Sequence, residues 1–167
     1  MNKMFELIEA HKLFNIPLNK LDILIHPNSL VLAIVRFKNG LTKLLYHDTS
    51  MIVPLANAIF DGNLLIKNYL KNSKINSQNH FPNLIFKQPD KKTFPIIKVM
   101  KRLNEFPSTP IIINSANEVL VEQFLQKNIA FLSISKIIMA IMNDRNYKKY
   151  AIKRPQNINQ IKSIDHW

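Results

Sequence analysis

The chain has 167 residues, of which 47% are apolar, no cysteine, and a formal charge of +12 from 23 lysines and arginines against 11 acids. That size suits one packed domain of ordinary dimensions, or roughly one and a half small ones. Without thiols a disulfide framework and a thiolate metal site are excluded, and a reducing, cytoplasmic setting is expected.

The first residues carry charges throughout and lack the uninterrupted apolar stretch of a signal peptide. Apolar runs such as residues 137–142 fall far short of the about 20 residues that span a bilayer. No membrane partner is expected. The positive charge is dispersed: Lys43, Lys67, Lys98, Lys127 and Lys149 lie in different predicted elements. It reads as solvated surface rather than a polynucleotide groove, so no nucleic-acid partner is expected. A positive field also suits a small phosphorylated substrate.

Residues 4–14 predict a helix, with Met4, Phe5, Ile8 and the pair Leu13–Phe14 as its apolar stripe. Pro17 and Asn19 end it. Strands are predicted over residues 22–26, 30–37 and 41–47. The last two are joined through Lys38-Asn39-Gly40, where Asn-Gly suits a two-residue hairpin turn. Residues 30–37 are apolar except for Arg36, which predicts burial on both faces, with the leading helix a candidate cover. Residues 50–60 predict a helix carrying Pro54 in its first turn and stopped by Asp61-Gly62-Asn63.

Residues 64–93 have poor periodicity and read as a long connecting arm, with 83–86 an extended piece lying on the sheet. Helices follow over residues 94–104, 115–126, 133–143 and 157–165. Asn114 with Glu118 resembles a cap for the second of these, Ile134, Ile137, Ile138 and Ile141 share a face of the third, and Ile158, Ile161 and Ile164 mark the fourth. The fold class is α+β: a small sheet with covering helices over residues 1–63, a linker over 64–93, and a C-terminal four-helix bundle over 94–167.

Several segments, in order, carry a family likeness. Met1-Asn2-Lys3 with Glu6, Glu9, Ala10 and Leu13-Phe14 matches a helix M-N-K-x-x-E-x-I-E-A-x-x-L-F. Ile25-His26-Pro27-Asn28-Ser29, Phe37-Lys38-Asn39-Gly40, Met51 through Pro54, Ile113-Asn114-Ser115-Ala116-Asn117-Glu118, and Phe124-Leu125 with Ile129 and Phe131 follow at matching spacing. In these the chain resembles the C-terminal part of the 1-deoxy-D-xylulose-5-phosphate reductoisomerase family.

The resemblance implies rearrangement of 1-deoxy-D-xylulose 5-phosphate by retro-aldol and aldol steps. Reduction by NADPH to 2-C-methyl-D-erythritol 4-phosphate follows, with Mg²⁺ or Mn²⁺ chelating the substrate. It also implies that Asn2 and Lys3 contact the substrate phosphate, that Glu6 is a metal ligand, and that the whole enzyme is a homodimer. The spacing agrees: on a helix, Asn2, Lys3 and Glu6 share one side. An amide and an ammonium at a helix start suit a phosphate, and a carboxylate one turn on suits a hard cation. The bland reading of the same residues is a polar first turn with a solvated Lys3–Glu6 pair.

Other residues invite chemistry less. His26 reads as a hydrogen-bonded structural corner. His47 and Asp48 are adjacent on a strand, so they face opposite ways. Glu9 reads as a supporting residue for Lys3 or Glu6, and Trp167 as an anchor for the last helix.

The chain also departs from the family. Leu32 stands where many members have histidine, Ile52 where arginine is common, and Thr49-Ser50 where Pro-Asp is usual. The only glycines are Gly40 and Gly62, so no G-x-G-x-x-G exists and no cofactor site is expected within these residues. Met1 coincides with an internal methionine of the family's helix. The expectation is a fragment, inactive alone, whose natural partner is the missing N-terminal half. The alternative is a non-catalytic interaction or dimerisation module.

Overall fold

The structure, a computed structural model, describes residues 1–47, 49–65 and 83–166. The chain divides into two compact units, Met1–Ile23 with Pro89–Trp167 and Leu24–Gln88. Among the described residues no helix is long and apolar enough to cross a membrane.

The first unit is helical and opens with α1 (Asn2–Phe14). Met4, Leu7 and Ile8 fall at helical spacing, and Met4 and Leu7 are buried. Met4 enters the same core as Val99, Leu103, Ile113 and Ile138. The helix stops at Asn15, in the left-handed conformation (φ 51°, ψ 34°) that asparagine tolerates well. His11 Nδ1–H donates to the Ile16 carbonyl at 2.7 Å and secures the exit. Leu13 and Phe14 are 76% and 70% exposed, so they lie outside the apolar stripe expected for them.

Residues 94–104 do not form the expected α-helix. Pro95–Arg102 is a 3-10 helix. Its three-residue turn stacks Ile96, Val99 and Arg102 on one side, with Val99 buried. Arg102 then spans to the end of α4 (Phe131–Ile141). Its Nη2 donates to the Met142 carbonyl at 2.7 Å, its Nη1 to Asn143 Oδ1 at 2.8 Å, and its Nε to Glu105 at 2.5 Å. A cation at a helix C-terminus is favoured by the dipole, and only a planar fork reaches all three acceptors.

α3 (Thr109–Leu125) begins earlier than its periodicity suggests, with Pro110 in its first turn. Asn114 and Glu118 are therefore exposed mid-helix residues and cap nothing. The real start is Ser108 and Thr109, both fully buried. Ser108 Oγ donates to the Lys153 carbonyl at 2.6 Å and its N–H to the Ala151 carbonyl at 2.9 Å. Thr109 Oγ1 lies 2.6 Å from the hydroxyl of Tyr147, in the short helix α5 (Tyr147–Ala151), which the sequence reading did not anticipate.

α4 buries Ile134 and Ile138 as their spacing predicts. α6 (Ile158–Asp165) is capped by Asn157, whose Oδ1 accepts from Gln160 N–H at 3.0 Å. It buries Ile164, while Ile158 and Ile161 stay exposed. α3 packs on α4 and α6, and α4 also packs on the 3-10 helix.

In the second unit β1 (Val31–Arg36) pairs antiparallel with β2 (Thr42–Tyr46), from Val31 opposite Tyr46 to Arg36 opposite Thr42, with a bulge at Leu32. The turn is not the two-residue form. Phe37 N–H donates to the Leu41 carbonyl at 2.8 Å and Gly40 N–H to the Phe37 carbonyl at 3.1 Å, with Gly40 at φ 87°. That is a three-residue loop closed by a left-handed glycine.

The strand expected over residues 22–26 reduces to one bridge, Ile25 with Lys87. Residues 83–86 lead directly into this bridge. The expected arm falls largely on residues 66–82, outside the described residues.

β1 is not covered on both faces: Leu32 is 40% and Val35 50% exposed. The two-stranded ribbon has no further strand among the described residues. α2 (Ile52–Phe60), with Pro54 in its first turn, ends at left-handed Asp61 and Gly62. Of the described apolar side chains of this unit, only Leu30 and Ala56 are fully buried.

Two predictions follow from the helical unit. Burial raises the Tyr147 hydroxyl above its ordinary value of 10.0, and the Thr109 hydrogen bond offsets part of that. The folded value exceeds the unfolded one, so this contribution is whole below pH 10 and is lost as pH climbs through the folded value. Tyr147→Phe should cost about 1–2 kcal/mol at pH 7 and flatten the fall in stability above pH 10, read by urea titration; an unchanged slope contradicts this. Arg102→Lys should cost about 1–3 kcal/mol in the same titration, because one ammonium cannot serve three acceptors; a change within about 0.5 kcal/mol contradicts it.

Candidate functional site

The seating of α1 decides where its polar side chains go. With Met4 and Leu7 buried, Asn2, Lys3 and Glu6 are all exposed. Residues three and four apart are neighbours on a helix surface, and the contact is made. Lys3 Nζ lies 2.9 and 2.7 Å from Glu6 Oε1 and Oε2, with the two side chains 56% and 51% exposed. Asn2 completes the first turn.

α1 begins at Asn2 in this structure. No side chain caps it, and its first turn holds no acid. The Met1 carbonyl accepts from Met4 N–H at 2.7 Å and Phe5 N–H at 3.2 Å. The N–H groups of Asn2 and Lys3 have no acceptor within the helix.

Glu6 offers a solvent-reachable hard oxygen donor, which fits one ligand of Mg²⁺ or Mn²⁺. Among the described residues no group of three His, Cys, Asp or Glu side chains could hold an ion. Glu6 is thus a single hard donor and not by itself a cation site. Glu9 is exposed one turn on, and its carboxylate makes no hydrogen bond to Lys3, which is engaged by Glu6.

The remaining sequence candidates fall elsewhere. His26, in the second unit, donates from Nδ1 to the Ile85 carbonyl at 2.9 Å and packs its ring 5.0 Å from that of Phe86. Its Nε2 is buried without a hydrogen-bond partner. This is the hydrogen-bonded corner expected of it. Leu32 sits in the β-bulge, and His47 N–H donates to the Leu30 carbonyl at 3.0 Å. Asp48 and Trp167 lie outside the described residues.

The polar groups that sequence reading missed are Arg102, Ser108, Thr109 and Tyr147, which hold the helical unit together. One signal was available: Ser108-Thr109-Pro110 places hydroxyls before a first-turn proline, a helix-start pattern.

Comparison with known proteins extends this local picture. A sequence profile described as the DXP reductoisomerase C-terminal domain matches residues 48–167. The chain is 43% identical over 169 aligned residues to the 1-deoxy-D-xylulose 5-phosphate reductoisomerase of Pelagibacter ubique (strain HTCC1062), covering all of this chain and 42% of that protein. It is 38% identical over 147 residues to the enzyme of the same name from Wolbachia sp. subsp. Drosophila simulans (strain wRi), covering 85% of this chain and 36% of that one.

Among solved structures, a DOX-P reductoisomerase in complex with NADPH, fosmidomycin and magnesium superposes with a TM-score of 0.79 at 26% identity, covering 99% of this chain and 41% of that one. The Zymomonas mobilis enzyme in complex with NADPH superposes with a TM-score of 0.73 at 28% identity over 99% and 41%. The chain thus spans about two fifths of the length of the relatives it matches. It belongs to the 1-deoxy-D-xylulose 5-phosphate reductoisomerase family, whose C-terminal domain its residues 48–167 match.

Proposed function

We propose that the chain supplies one wall of the sugar-phosphate site in an enzyme that converts 1-deoxy-D-xylulose 5-phosphate to 2-C-methyl-D-erythritol 4-phosphate with NADPH. The observation that carries this reading is the start of α1, where an amide and an ammonium, with a carboxylate one turn on, stand exposed. Asn2 and Lys3 bind the phosphate. Glu6 ligates Mg²⁺ or Mn²⁺ near the other end of the substrate. When bound, the metal supplies Lewis-acid polarisation and NADPH the hydride. The chain's own part is to orient the phosphate and to hold one oxygen of the metal's shell, positioning that converts binding energy into rate.

The dinucleotide site and the remaining metal donors come, in this reading, from residues other than these 167, and the chain alone does not turn over. Its partner is the N-terminal half of the enzyme, within a cytoplasmic homodimer. Residues 1–63 belong to the catalytic domain, 64–93 to a linker and 94–167 to a bundle domain. A second, compatible reading is an interaction or dimerisation module. It is favoured by one observation: Leu41, Leu45, Ile52, Leu55 and Ile59 of the hairpin unit are each more than half exposed. So much apolar surface marks a face that another surface covers.

The test is reconstitution. The chain is mixed with a separately expressed N-terminal part of the Pelagibacter relative, and substrate-dependent NADPH oxidation is followed. Activity should appear only in the mixture and only with Mg²⁺ or Mn²⁺, and Lys3→Met or Glu6→Gln should reduce it by about 100-fold or more. Turnover by the chain alone, or full activity in both variants, would refute the reading.

A further inference from the structure

The two side chains assigned to opposite charges of the substrate complex hold each other in the free chain. Lys3 donates two hydrogen bonds, at 2.7 and 2.9 Å, to the two oxygens of Glu6. The ammonium has three protons and so keeps one uncommitted. Each carboxylate oxygen keeps a lone pair, but both lie against the ammonium. A divalent cation on Glu6 would sit a few ångströms from a positive charge. A phosphate on Lys3 would set its oxygens against a negative one.

We infer that the Lys3–Glu6 pair is a latch that couples the two ligands: either one must break it, and the second then finds its own partner already free. This rests on the roles proposed above for Lys3 and Glu6. The backbone has no need to move, because buried Met4 and Leu7 keep α1 seated and both side chains are about half exposed. The switch is a change of rotamer. Release by the cation leaves the ammonium free for the anion. Release by the anion leaves the carboxylate open to the cation.

Coupling of this kind is reciprocal. An exposed ion pair is weak, so each ligand should tighten the other about two- to five-fold and not more. Direct attraction between a bound cation and a bound phosphate would also couple them. The test therefore watches the pair itself.

The experiment uses the chain labelled with ¹⁵N at lysine and ¹³C at the glutamate carboxyl, assembled with an unlabelled N-terminal part of the Pelagibacter relative and titrated by NMR with Mg²⁺ alone, inorganic phosphate alone, and both. Mg²⁺ alone should move the Lys3 Nζ resonance to the position it takes in Glu6→Gln. Saturating phosphate should lower the Mg²⁺ dissociation constant about two- to five-fold. Lys3→Met should tighten Mg²⁺ by a similar factor without phosphate and abolish the phosphate effect. If Mg²⁺ saturates the Glu6 carboxyl while the Lys3 resonance stays in place, the latch is overturned and the two roles survive. If neither resonance responds to either ion at tens of millimolar, the proposed roles fail and the latch fails with them.

Discussion

Everything the candidate site does depends on how α1 is anchored. Met4 and Leu7 are buried, and Met4 joins the core built by the 3-10 helix, α3 and α4. Burying a side chain of that size is worth about 1.5–3 kcal/mol, and truncating it to alanine typically costs about 2–5 kcal/mol. That is a large share of the stability of a small unit. The same burial fixes the rotation of the helix and so presents Asn2, Lys3 and Glu6 to solvent. A polar face held by an apolar one is preorganised: its groups are already ordered at the backbone, and only side-chain rotamers remain to be chosen.

The two units are built on different physics. The helical unit has a continuous apolar core and satisfies its buried hydroxyls: Ser108 bonds the end of α5 and the residues after it, and Thr109 bonds Tyr147. Arg102 ties the 3-10 helix to the carbonyl of Met142, the residue that follows α4. The hairpin unit instead leaves its strands and α2 widely exposed. A two-stranded ribbon is marginal alone and needs another layer. The relatives that the chain matches are more than twice its length.

Much of this was legible in the residues. The leading helix, the hairpin strands, α2 with its Asp61-Gly62 stop, and the Ile134 and Ile138 face of α4 were readable because period and punctuation agreed there. Reading failed where tertiary contacts overrode local pattern. The apolar run of β1 suggested two buried faces, yet composition does not say whether a cover exists. Ile111, Ile112 and Ile113 are β-branched and masked the start of α3, which is decided by buried Ser108 and Thr109. A spacing of three at Ile96, Val99 and Arg102 served a 3-10 helix as well as an α-helix. For the site, the sequence put Asn2, Lys3 and Glu6 on one side; it did not reveal that Lys3 and Glu6 engage each other with both carboxylate oxygens.

The central claim is spatial: cation and phosphate are proposed to meet at the first two turns of α1. Paramagnetic broadening by Mn²⁺ tests it most directly, in the enzyme assembled from this chain and an N-terminal part, with substrate bound. The account predicts that the amides of residues 2–6 broaden first and that Glu6→Gln removes the effect. Broadening centred on His26 or on the helices after α3, with α1 untouched, would contradict it.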